Sequence, residues 1–161
     1  MTTKTNAQTN IFNPGVANIA VSEPTGDTYS INGSNIVNKE VYVTNDNVTT
    51  TNAIPVYVRV RLVPIMRDNS GNGTGESVTI NYPDLNTTNW ELHGNYYYYK
   101  GILLPGHTTE YLIKKANIPA GIALDKKVEI QVIADSIQTV ANAEQAAWNM
   151  KYASGTWTQV S

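Results

Sequence analysis

Apolar and polar residues alternate with a period of two over much of this chain. Val56, Val58, Val60 and Leu62 interleave with Tyr57, Arg59 and Arg61, which predicts a strand with a β-branched inner face. Val41 and Val43 alternate with Glu40, Tyr42 and Thr44, and Val128, Ile130, Val132 and Ala134 with Glu129, Gln131, Ile133 and Asp135. Shorter strands are expected at 16–21, 28–31, 77–81, 89–92 and 157–160. Four consecutive tyrosines, Tyr96, Tyr97, Tyr98 and Tyr99, load both faces of one further strand, because successive side chains point to opposite sides. That strand needs cover on both faces, from a second sheet, a loop or another molecule.

Turn signals punctuate these runs at Asn13-Pro14-Gly15, Pro24-Thr25-Gly26-Asp27, Asn32-Gly33-Ser34, Asp68 to Gly75 and Pro105-Gly106. Many short strands so divided predict an all-β fold, a jelly-roll β-sandwich. One stretch departs from the pattern. Over 142–150, Ala143, Ala146, Ala147 and Met150 share a helical face, and Asn142 and Gln145 are spaced as a capping pair. A short peripheral helix is expected there, or at most two, packed on the sheet edge with Trp148 as its anchor.

The length of 161 residues fits one core. Residues 14–161 read as a single domain, preceded by an extended segment over 1–13. Charged residues make up only 15 %, against about 25 % in ordinary domains, and Asn and Thr take up the difference. With 11 basic and 13 acidic residues and no Lys/Arg cluster, the chain lacks the footprint of phosphate-backbone binding, so no nucleic-acid partner is expected. Arg59, Arg61 and Arg67 read as the solvent side of a strand. The absence of cysteine excludes disulfides, thiolate chemistry and a Cys-ligated zinc site. No apolar run approaches the roughly 20 residues of a transmembrane helix, and no secretory apolar region follows Met1.

Catalysis finds little support, and no catalytic, cofactor-binding or metal-binding residue is assigned. His93 and His107 are the only near-neutral bases, and neither a His-Glu-x-x-His motif nor a Gly-x-Ser-x-Gly elbow is present. The loop from Asp68 to Glu76 imitates the start of a calcium-binding EF-hand but has Thr79 where the bidentate Glu belongs; it reads as a hairpin loop. Tyr57, Trp90 and Tyr96 to Tyr99 form a candidate aromatic contact surface for carbohydrate or protein.

The order of motifs resembles a known family. Phe12-x-x-Gly15 with Val21-x-Glu23, then Lys39-x-Val41-x-Val43-x-Asn45 and Pro55 to Arg61, is similar to the opening half of TasA/camelysin-type proteins of Gram-positive bacteria. Tyr96 to Gly106 with Thr108-Thr109, Val128 to Gln138 in alternation, and Ala146-Ala147-Trp148 are similar to the second half. The resemblance runs from about Phe12 to Trp148. It implies a jelly-roll protein of the biofilm matrix or cell surface, secreted with a signal peptide that a SipW-type peptidase removes. In its fibre-forming members the N-terminal segment of one subunit enters the sheet of the next. The name camelysin also implies a metalloprotease, but with no zinc motif that activity is not carried over; a metal-dependent protease centred on His93 and His107 stands as a distant alternative.

The tail itself is suited to strand addition. Thr2 to Ile11 is uncharged except for Lys4, and Thr3, Thr5, Ala7, Thr9 and Ile11, followed by Phe12, form a β-competent row with little anchorage of its own. Pairing with a neighbour would supply backbone hydrogen bonds, and head-to-tail repetition gives an open filament. The leading expectation is therefore a secreted structural subunit whose main partner is itself, with other matrix or anchoring proteins as further partners. The competing one is a monomeric binding module.

Overall fold

The computed structural model describes residues 3–6, 19–22, 28–30, 36–46, 54–119 and 126–160. In chain order the elements are β1 (Thr3–Asn6), β2 (Ile19–Ser22), β3 (Thr28–Ser30), β4 (Ile36–Asn45), β5 (Val56–Asp68), β6 (Trp90–His93), β7 (Tyr96–Tyr99), β8 (Ile113–Asn117), β9 (Lys126–Gln138), α1 (Ala143–Trp148), β10 (Met150–Ala153) and β11 (Thr156–Gln159). Among the described residues no helix is long and apolar enough to cross a membrane.

The frame is the ladder between β5 and β9, each of 13 residues, paired antiparallel from Val56↔Gln138 to Asp68↔Lys126 without a register shift. β7 and then β6 extend this sheet beyond β5, while β1 and β3 share the far edge of β9. A second sheet, in the order β2-β4-β8, lies across it. Val41 and Val43 of β4 and Ile113 of β8 meet Val56, Val58 and Val60 of β5, Trp90 of β6 and Val132 and Ala134 of β9 in one core. Two antiparallel sheets packed face to face make the protein an all-β sandwich.

A third layer covers the opposite face of the large sheet. Tyr57, Tyr98 and Ile137 pack there against Ala143 and Trp148 of α1 and against Met150 and Trp157 of the β10–β11 hairpin. The helix thus lies on the face of the sheet, not on its edge. Its buried residues are Ala143, Glu144 and Trp148, whereas Ala146 and Ala147 are exposed and Met150 belongs to β10. Asn142 is the N-cap residue, at φ 55°, and makes no side-chain cap bond. A left-handed cap at each end confines the helix to six residues.

β5 continues well past the predicted Leu62, through Pro64, and the hydrogen-bond phase explains why it can. Val56 exchanges both backbone bonds with Leu103, at 3.0 and 2.8 Å, and Met66 accepts from the Thr74 N–H at 3.0 Å. Even-numbered residues of β5 therefore turn their N–H and C=O away from β9. The missing N–H of Pro64 falls on that side, so the β9 ladder loses nothing. The strand expected at 77–81 is absent; only an isolated bridge joins Asn81 to Asn117. β8 goes unpredicted because Lys114 and Lys115, both exposed, interrupt its alternation.

Candidate functional site

The tyrosine strand is where the three layers meet. β7 pairs with β5 at Arg59↔Tyr98 and Val60↔Tyr97, and with β6 from Trp90↔Tyr99 to His93↔Tyr96. Directly paired residues share a face, so Tyr97 and Tyr99 join Trp90 in the core between the sheets, while Tyr96 and Tyr98 face α1 and the hairpin. The cover that four tyrosines require comes from the second sheet on one side and from the C-terminal layer on the other.

Each ring is fixed by specific contacts. Tyr99 donates its hydroxyl to Glu110, and its ring lies 5.1 Å from that of Trp90. Burial, followed by the Glu110 hydrogen bond, pushes the Tyr99 pKa up to about 12. Burial also raises the pKa of Tyr97, and burial with the Glu144 charge raises that of Tyr57. On the other face, Arg59 donates its Nε–H to Asp135 at 3.0 Å, and its Nη1 to the Tyr98 hydroxyl at 3.2 Å. Its guanidinium lies 3.8 Å from the Tyr96 ring centre and 4.6 Å from that of Trp148, within the range of cation–π attraction.

This arrangement corrects the expected aromatic surface. Tyr57, Trp90 and Tyr98 are 7 %, 2 % and 3 % exposed, and the six rings divide between two opposed faces. Tyr57, Trp90 and Tyr98 are packing residues, Tyr96, Tyr97 and Tyr99 are half-buried, and the six form no common platform. His93 lies in β6 with its Nε2 beside Glu91, and His107 is exposed. Among the described residues no three His, Asp or Glu side chains gather as a metal cage. In the 68–76 loop, Asp68 Oδ1 accepts from the N–H groups of Ser70 and Asn72, both at 2.9 Å. That carboxylate shapes its own turn.

Of the expected donor residues, Thr3 and Thr5 lie in β1; Ala7, Thr9, Ile11 and Phe12 fall outside the described residues. β1 runs antiparallel to β9 with Thr3↔Ile137, Lys4↔Ser136, Thr5↔Asp135 and Asn6↔Ala134 in register. It forms the outermost strand of the large sheet at that end. Sequence reasoning missed the Arg59–Asp135 pair and the role of Trp157. The first had a signal, an arginine and an aspartate each in the polar phase of a long alternating strand. Compared with known proteins, the chain matches no family model, no curated protein and no solved structure.

Proposed function

We propose that this chain is a secreted structural subunit that polymerises head to tail by donating its N-terminal strand, forming fibres of an extracellular matrix or cell surface. The observation that carries the reading is the position of β1. Among the described residues its only ladder partner is β9, at the terminal edge of the sheet, where four residues pair from Thr3↔Ile137 to Asn6↔Ala134. A strand attached by one edge is the element most readily exchanged between copies, because the same four-residue register serves within a chain or between two. Secretion and the matrix setting rest on the resemblance to TasA/camelysin-type proteins, and no protease activity is included.

A cysteine pair tests it cleanly in a chain that has no cysteine of its own. Lys4 and Ser136 are directly opposed, a spacing that suits a disulfide. Filaments grown from Lys4→Cys/Ser136→Cys protein and then oxidised are expected to run as a covalent ladder on non-reducing gels. Oxidised filaments that run wholly as monomer would show the strand folded back on its own chain and sink the proposal.

A further inference from the structure

The three arginines of the chain, Arg59, Arg61 and Arg67, all lie on β5 in the phase of Tyr57. Two of them are answered from β9: Arg59 by Asp135 at 3.0 Å and Arg67 by Glu129 at 2.7 Å. The register sets Arg61 opposite Ile133 instead. Its Nε is buried with no hydrogen-bond partner, and among the described residues no carboxylate pairs with it.

The sheet is interrupted at the same place. Pairing with β7 stops at Val60↔Tyr97, and the next backbone bond on that side of β5 is the one from Thr74 to Met66. By the phase established above, the interval presents the N–H and C=O of Leu62 and the C=O of Pro64. From Arg61 to Ile65 it spans roughly 14 Å at about 3.4 Å per residue. The interval opens on a cavity of about 430 Å³ walled by Leu62, Pro64, Tyr82, Leu92 and Tyr97, with Arg61 on its lining and no acidic residue there. Leu92 is 55 % exposed, a large apolar side chain left at the rim.

We infer that this interval is a docking site for an extended, acidic peptide segment of a partner protein. The segment adds as a short strand beside Leu62. The residue paired with Leu62 turns inward against Leu92 and Tyr97, and an adjacent residue on the other face brings a carboxylate to Arg61. The missing N–H of Pro64 limits the pairing to a few residues and guards the edge against indiscriminate extension. The occupant differs from the chain's own tail, since Thr2 to Ile11 carries Lys4 and no carboxylate. The inference does not depend on strand donation.

The test uses the full chain and two labelled five-residue peptides, Thr-Val-Glu-Val-Thr and its Gln counterpart, titrated by fluorescence anisotropy at low salt. The Glu peptide is expected to bind at least tenfold more tightly. Arg61→Gln should abolish that preference, while Arg61→Lys, which keeps the charge but not the planar fork, should retain part of it. Equal affinity of the two peptides for the parent chain, no binding of either, or a preference unchanged in both variants would overturn the inference.

Discussion

Trp157 donates its indole N–H to the backbone carbonyl of Tyr99 at 2.9 Å, which fastens the C-terminal hairpin to the tyrosine strand. The same indole packs against Tyr98, Tyr57 and Tyr152 with ring centres 5.0 to 5.2 Å away. Trp157→Phe keeps most of the apolar area but removes the indole donor to the Tyr99 carbonyl. A loss of about 1–3 kcal/mol is expected from the missing hydrogen bond and the smaller ring together. Urea unfolding followed by fluorescence of the remaining tryptophans measures it, and a loss below about 1 kcal/mol would contradict the latch.

Arg59 and Asp135 form a pair whose side chains are 16 % and 8 % exposed. Breaking such a pair from one side leaves a poorly solvated charge. Asp135→Asn and Arg59→Met are therefore each expected to cost about 2–4 kcal/mol. The double variant should cost clearly less than the two added together, with a coupling of about 1–3 kcal/mol. A double-mutant cycle in urea decides this; additive effects would mean that the pair is not coupled.

Tyr99 offers a test in alkali. Its pKa rises from 10.0 to about 12, first through burial and then through Glu110. The folded state holds this proton more tightly than the unfolded state, so its stabilising effect is complete below pH 10 and is lost as the pH climbs toward 12. Stability should fall across that window. Glu110→Gln removes the charge but not the burial, and should move the late step of the tyrosinate absorbance titration downward. An unmoved titration curve would count against the Tyr99–Glu110 bond.

Pro64 sits inside a 13-residue strand, where proline ordinarily removes a ladder hydrogen bond. Its phase makes the expectation different here. Pro64→Thr should change stability by less than about 1 kcal/mol, because β9 never used that position, yet it supplies a new edge donor and should promote self-association. Equilibrium unfolding and sedimentation velocity report the two effects separately. A gain of several kcal/mol would show that Pro64 had been breaking a ladder bond.

Much of the sandwich was legible where alternation was unbroken. Val56 to Leu62 and Val128 to Ala134 display their core faces in sequence, and the tyrosine run announced two-sided burial. Legibility failed where a local rule was locally suspended. Lys114 and Lys115 hide β8, and Pro64 hides the second half of β5 behind a hydrogen-bond phase that no single strand reveals. The aromatic residues misled for a related reason: a tyrosine in a strand reads the same whether its ring meets solvent or a third layer. That Arg59 meets Asp135 while Arg61 faces Ile133 depends on the β5–β9 register, a relation between segments far apart in the chain.

The β5–β9 ladder also governs when this protein can begin to exist as a folded object. β5 has no long partner until Lys126 to Gln138 is available, and such distant pairings form late because the intervening loop must first close. A chain emerging from its N-terminus holds Val56, Val58 and Val60 without their β9 partners throughout that interval, with an unpaired strand edge open to misassociation. The short, weakly apolar β1 then reads as a safeguard of timing: it presents little to pair with until β9 is in place, and β9 is among the last strands to arrive.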